Sequence, residues 1–252
     1  MQTIQLTYKE GYAIAQLDRG KANPINLQMI RELIDLTAMM AEDSKVKGLI
    51  LTGKEGYFTA GLDLMELSKL DHEGMKNFWK EFTHMMAALV SFPKPLIAAI
   101  TGHSPAGGCI LAICCDYRVM AEGKYMIGLN EVPVGIIVPK HIHSLYAFWI
   151  GERNAYQNLM EGKLMSPEEA HHIHLIDHVV PMSKVLEKAE EKMRHYIGFN
   201  EATWQTTKRH LRSELIKQLQ VPSDAVFDAT VANWFSPEVQ GILSKIVSSL
   251  KK

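Results

Sequence analysis

The stretch Ser104-Pro-Ala-Gly-Gly-Cys-Ile-Leu-Ala-Ile-Cys-Cys-Asp-Tyr-Arg118, continued by Ile127-Gly-Leu-Asn-Glu-Val-Pro-Val-Gly-Ile-Ile137, decides how this chain reads. A Gly-Gly pair, Gly107 and Gly108, opens an apolar run that fits a buried helix. A lone carboxylate, Glu131, stands in the apolar segment downstream. Glycine at a helix start lets backbone N–H groups approach a ligand, because no Cβ intervenes. The helix dipole there favours negative charge. A carboxylate in a water-poor segment can serve as a base. Together the two elements point to chemistry at a carbon next to a carbonyl, where an oxyanion forms as a proton leaves.

Working outward, Pro95–Gly102 reads as a buried strand before the glycine pair, Gly107–Cys114 as the buried helix, and Asp116–Met120 as a strand after it. Upstream, Gln2–Tyr8 and Tyr12–Leu17 alternate around Glu10-Gly11 and predict a hairpin. Asp18–Asn26 is turn-rich. An amphipathic helix follows over Leu27–Ala41, a buried strand over Val46–Thr52, a loop over Phe58–Leu64 and a long helix over His72–Ser91. Alternating strands and helices predict an α/β core with crossover connections. Beyond Pro139 the pattern turns mostly helical. Ser166-Pro-Glu-Glu169 is a helix start, with Ser as N-cap, Pro at the first position and Glu three residues after the cap. Asp177–Pro181 reads as a short strand. With no flexible linker in sight, the helical tail is expected to pack on the core or on a neighbouring subunit.

Composition narrows the class. At 252 residues the chain can bury a full core. A net charge of −1 gives no global basic field for nucleic acid or an anionic membrane. No run reaches the ~18 apolar residues of a membrane span. Met1-Gln-Thr-Ile-Gln-Leu6 lacks the basic-then-apolar order of a secretory signal and reads as a strand. Cys109, Cys114 and Cys115 are odd in number and crowded into one apolar segment, which predicts reduced, buried thiols. A bacterial cytoplasm is the expected compartment, with an organellar matrix second. His171, His172, His174 and His178 form the densest of the histidine groups. Adjacent His171 and His172 leave a helix on different sides, and no Cys or carboxylate set completes a tetrahedral site. No metal is therefore expected.

The chain resembles the enoyl-CoA hydratase/isomerase (crotonase) superfamily at Phe58-Thr-Ala-Gly-Leu-Asp-Leu64, Lys94-Pro-Leu-Ile-Ala-Ala-Ile-Thr-Gly102, Pro105-Ala-Gly-Gly108, Cys115-Asp-Tyr-Arg118, Gly128-Leu-Asn-Glu-Val-Pro-Val-Gly135 and Asp177-His-Val-Val-Pro181. The order and spacing of these blocks span residues 2–185. Within the superfamily they look most like the 3,2-trans-enoyl-CoA isomerase branch. The resemblance implies an α/β spiral of ββα units over residues 1–190 and a C-terminal helical trimerisation region over 191–252. It implies a homotrimer or a dimer of trimers, an acyl-CoA thioester substrate, and no cofactor beyond the CoA that the substrate carries.

It also assigns roles. Leu62 and Gly107 would offer the two backbone N–H groups to the thioester oxygen. On the residues alone, Gly107 and Gly108 fit a tightly packed helix start equally well. Ala60, Gly61, Asp63 and Leu64 would shape the first oxyanion turn, with Asp63 capping the next helix. Glu131 would be the base, its pKa raised by apolar neighbours Ile127, Leu129, Val132 and Val134. The residue-level alternative is an ordinary surface glutamate. Lys21, Ala22 and Asn23 fall where family members meet CoA, and Lys21 or Lys245 could pair with a CoA phosphate. Met65, Phe78 and Met126 are candidates for an acyl tunnel. His174 stands where relatives end a helix with glycine, which predicts local strain.

Ile110 departs from the hydratase pattern, which has a second catalytic glutamate at that position. An isoleucine can neither hold nor polarise water. Moving a double bond from the 3- to the 2-position needs only one base that takes a proton at C2 and returns it at C4. The expected activity is therefore enoyl-CoA isomerisation, ahead of hydration, dienoyl isomerisation, decarboxylation or non-catalytic acyl-CoA binding.

Overall fold

The structure is a computed structural model that describes residues 1–220 and 224–250. The hairpin forms as β1 (Ile4–Lys9) and β2 (Tyr12–Leu17), turning at Gly11. Helix α1 (Leu27–Glu42) is capped by the Asn26 side chain, which accepts from Met29 N. Then come β3 (Leu49–Thr52), β4 (Gly56–Tyr57), the one-turn helix α2 (Leu64–Leu67) and α3 (His72–Ser91). The next units are β5 (Leu96–Ile100), β6 (Gly102–Pro105) and α4 (Gly107–Cys114), then β7 (Tyr117–Ala121) and β8 (Ile127–Gly128). Three times the chain lays one strand in a large sheet and the next in a small one. The large sheet runs β1-β2-β3-β5-β7-β9, where β9 is His178–Val180, and the small one runs β4-β6-β8. Pairings from β2 onward are parallel, as crossover connections require. This is the spiral of ββα units that the sequence motifs imply.

Helices α5 (Lys140–Ile150), α6 (Glu152–Glu161), α7 (Pro167–His172) and α8 (Val185–Ile197) follow, then α9 (Glu201–Leu211), α10 (Ser213–Gln220), α11 (Asp224–Trp234) and α12 (Pro237–Leu250). Ser166 and Glu169 form the expected reciprocal capping box. His174 adopts φ +64°, the left-handed conformation expected at that position. The C-terminal helices pack onto the core, since Leu215, Leu219, Phe227, Val231 and Trp234 join the same apolar cluster as the spiral. A buried ionic anchor fixes α9. Lys208 Nζ lies 2.7 Å from Asp116 Oδ2, Arg212 Nη2 lies 2.9 Å from Asp116 Oδ1, and Arg212 also donates to the carbonyls of Cys114 and Cys115. All three cysteines are free and buried. No helix among the described residues is long and apolar enough to cross a membrane.

Candidate active site

Two turns meet at the start of α4. Ala106, the residue before it, has φ +49° and ψ −117°, a conformation that side chains disfavour. Its N–H bonds to Gly128 O at 2.8 Å, so neighbouring structure holds the strained turn in place. The facing turn, 60–63, is pinned by Ala60 N to Ala22 O (2.8 Å), Ile25 N to Gly61 O (2.8 Å) and Asp63 N to Ile25 O (2.8 Å). Gly61 sits at φ +85°, and a Cβ there would lie 3.1 Å from Pro105 O and 3.5 Å from Gly107 N. Glycine at 61 thus lets the two turns touch. Neither Leu62 N–H nor Gly107 N–H donates to a backbone carbonyl among the described residues.

Leu62, Gly107, Ile110 and Glu131 line one narrow, mostly apolar cavity. Glu131 is 7% exposed, and its Oε2 has no hydrogen-bond partner among the described residues. Burial pushes its carboxyl up to about 7, only partly offset by a hydrogen bond from its own backbone. Val132 and Val134 do not produce this burial, contrary to the sequence reading. Val132 is 38% exposed and Val134 half-buried on a 3-10 turn over Val132–Val134. Ile127 and Leu129 are fully buried, and the cavity around Glu131 is walled by distant elements. That wall is Trp79, Phe82 and Thr83 from α3, Ile136–Pro139, His141 and Ile142 around the start of α5, and Val226, Phe227 and Thr230 from α11.

The enoyl-CoA hydratase/isomerase family model matches residues 7–234. The chain belongs to the enoyl-CoA hydratase/isomerase family. Mouse mitochondrial enoyl-CoA delta isomerase 1 is 37% identical over 214 residues, 82% of this chain and 74% of that protein. Its human counterpart is 31% identical over 244 residues, 96% of this chain and 81% of the relative. The crystal structure of human mitochondrial delta3-delta2-enoyl-CoA isomerase superposes with a TM-score of 0.95 at 30% identity, covering 99% of this chain and 98% of that one. Within the enoyl-CoA hydratase/isomerase family, this chain therefore resembles the isomerase branch across nearly its whole length.

The other residues expected at the site are not in the cavity lining. Asp63 caps α2 through Glu66 N at 3.0 Å and takes Arg19 Nη1 at 2.7 Å. Arg19 also pairs with Glu66 and donates to Pro24 O, tying the 18–26 loop to the oxyanion turn. The sequence reading missed this clamp because neither segment alone marks the pairing. Asn23 is fully buried at φ +49°. It spends its side chain on the loop, accepting from Arg19 N and donating to Phe58 O. Lys21 and Ala60 are exposed, Ala22 and Leu64 half-buried, and Gly108 buried where a Cβ would meet Ser104 Oγ at 2.9 Å. Met65, Phe78 and Met126 do not line the cavity, and Phe78 is packed in the core, stacked on Phe82. The next residue along α3, Trp79, faces the cavity instead. Among the described residues no cluster of three or more His, Cys, Asp or Glu could hold a metal ion.

Proposed function

We propose that this chain is a 3,2-enoyl-CoA isomerase. Glu131 takes a proton from C2 of a 3-enoyl-CoA. The thioester oxygen gains charge as the dienolate forms, and the N–H groups of Leu62 and Gly107 donate to it. The protonated Glu131 then delivers the proton to C4, giving the 2-enoyl-CoA and restoring the carboxylate. A base whose pKa lies near the working pH both accepts and returns a proton efficiently, which suits a carboxyl that burial pushes to about 7. The observation that carries this reading is that, among the described residues, Glu131 is the only carboxylate on the cavity, with Ile110 also in the lining. Nothing at position 110 can activate water for addition.

No cofactor is needed beyond the CoA carried by the substrate. Exposed Lys21 and the 60–64 turn are proposed to meet the CoA moiety. A homotrimer or dimer of trimers is the proposed assembly, supported by exposed Phe148, Phe199 and Leu211 around one aromatic recess. The proposed setting is the β-oxidation of unsaturated acyl chains, in a bacterial cytoplasm or an organellar matrix. Glu131→Gln tests the mechanism. Its turnover of 3-hexenoyl-CoA is expected to fall at least ~1000-fold, while binding of a CoA ester, measured by calorimetry, stays near wild type. Near-wild-type turnover would refute the assignment.

A further inference from the structure

The cavity holds more hydrogen-bonding capacity than double-bond migration uses. Thr83 Oγ1 and Thr230 Oγ1 both face carbonyls of their own helices, donating to Trp79 O and Val226 O. Glu131 is committed to the proton. Two groups remain. Trp79 Nε1 is buried and has no partner among the described residues. His141 is 7% exposed, lines the same cavity and makes no hydrogen bond among the described residues. Burial alone pushes its imidazole down to about 4, so the ring is neutral at pH 7, with one N–H donor and one acceptor nitrogen. Its place in the first turn of α5 works in the same direction, since a helix N-terminus disfavours a cation.

Buried polar groups normally find partners, and leaving one unpaired is costly. A plain hydrocarbon chain filling this cavity would strip water from the His141 ring, leave the already buried Trp79 Nε1 without a partner, and offer nothing in return. Among the described residues no Lys or Arg lines the cavity, and Glu131 is the one acidic group there. A chain ending in a carboxylate would therefore meet no counter-charge. Building on the isomerase reading, we propose that His141 and Trp79 form a specificity site for acyl chains bearing a hydroxyl or keto oxygen beyond the reacting carbons. A hydroxyl can both donate to and accept from the imidazole, whereas a keto oxygen only accepts, from the imidazole or indole N–H.

The test uses saturated esters, so it is independent of turnover. Calorimetry compares octanoyl-CoA with octanoyl-CoA esters carrying a hydroxyl or keto group at C5, C6, C7 or C8. One oxygen position is expected to bind about tenfold tighter than octanoyl-CoA, in line with one or two recovered hydrogen bonds. His141→Leu should abolish or reverse that preference, and His141→Gln, which keeps a donor and an acceptor, should retain it. Trp79→Phe should weaken keto esters more than hydroxyl esters. A wild-type preference for plain octanoyl-CoA at every position would overturn the proposal. So would an unchanged preference in a folded His141→Leu protein. Failure of the isomerase reading shows elsewhere, as absent turnover of 3-hexenoyl-CoA in the wild type.

Discussion

The two ends of the cavity are built in different ways. The oxygen end is backbone: two N–H groups on turns that glycines bring into contact, with Gly61 against Pro105 O and Gly107 N. The carbon end is side chain: Glu131, Ile110 and a wall drawn from α3, the start of α5 and α11. Backbone donors need small residues at fixed places, which leave a local mark in sequence. A cavity wall needs only apolar volume, which many sequences supply and no short motif records. On the proposed reading, the first end holds the charge on the thioester oxygen, while the second places the base, keeps water from being activated at Ile110 and admits the acyl chain.

If the oxygen end is as tightly fitted as its contacts indicate, disturbing it should cost more than trimming the apolar wall of the carbon end. A Cβ at Gly107 would sit 3.1 Å from Ile25 Cδ1 and 3.3 Å from Leu62 Cδ2. Gly107→Ala must therefore push the ends of the Ile25 and Leu62 side chains aside by a few tenths of an ångström, crowding the residue that carries the other proposed donor. We expect kcat for 3-hexenoyl-CoA to fall about 10- to 100-fold, part of the ~100–1000-fold that one full oxyanion donor supplies. An unchanged kcat would break the contrast between the two ends.

Glu131 sharpens the comparison through pH. Burial raises its carboxyl to about 7, and in the proposed mechanism the carboxylate is the form that takes the C2 proton. kcat/KM should fall about tenfold per pH unit below about 7 and level off above it. Stability runs the other way. The native state holds its proton to higher pH than the unfolded chain does, so the Glu131 contribution is full below pH 4.5 and is lost as pH rises through about 7. Glu131→Gln removes that loss and should raise the melting temperature relative to wild type at pH 8, with a smaller difference at pH 5. A kinetic inflection near 4.5 would show that the carboxyl is solvated in solution.

At the carbon end, Val226 lines the cavity and is partly exposed. Val226→Ala should alter the ratio of kcat/KM for decenoyl- over hexenoyl-CoA about threefold, since ~0.8 kcal/mol accompanies each buried methylene, with turnover of the short substrate unchanged. The last prediction, which touches stability and not turnover, concerns the strained residue at the oxygen end. Ala106→Gly relieves a φ of +49° and should stabilise the fold by up to about 1 kcal/mol in chemical denaturation.

Local features were legible in the sequence to the extent that their causes are local. The hairpin, the Ser166 capping box, the long α3 and the short buried α4 follow from alternation, cap chemistry and periodicity. The run 95–102 reads as one strand but divides, because Gly102 at φ +151° turns the chain from the large sheet into the small one. Glu131 is recognisable by motif, yet the source of its burial is not. Its sequence neighbours Val132 and Val134 are partly solvated, and α11, about a hundred positions away, closes the cavity. The tunnel reading at Phe78 misses by one residue on α3. Hydrophobicity alone does not separate the core-facing Phe78 from the cavity-facing Trp79 on one helix. His141 carries no local mark, since its environment is wholly tertiary.

The most direct test of the single-carboxylate account is product analysis with 3-hexenoyl-CoA and 2-hexenoyl-CoA in parallel, resolving double-bond isomers from 3-hydroxyhexanoyl-CoA by chromatography and mass. The account expects interconversion of the two enoyl esters, with hydration at or near the uncatalysed rate. Rapid formation of the 3-hydroxy ester would contradict it, because some other residue would then be activating water beside Ile110.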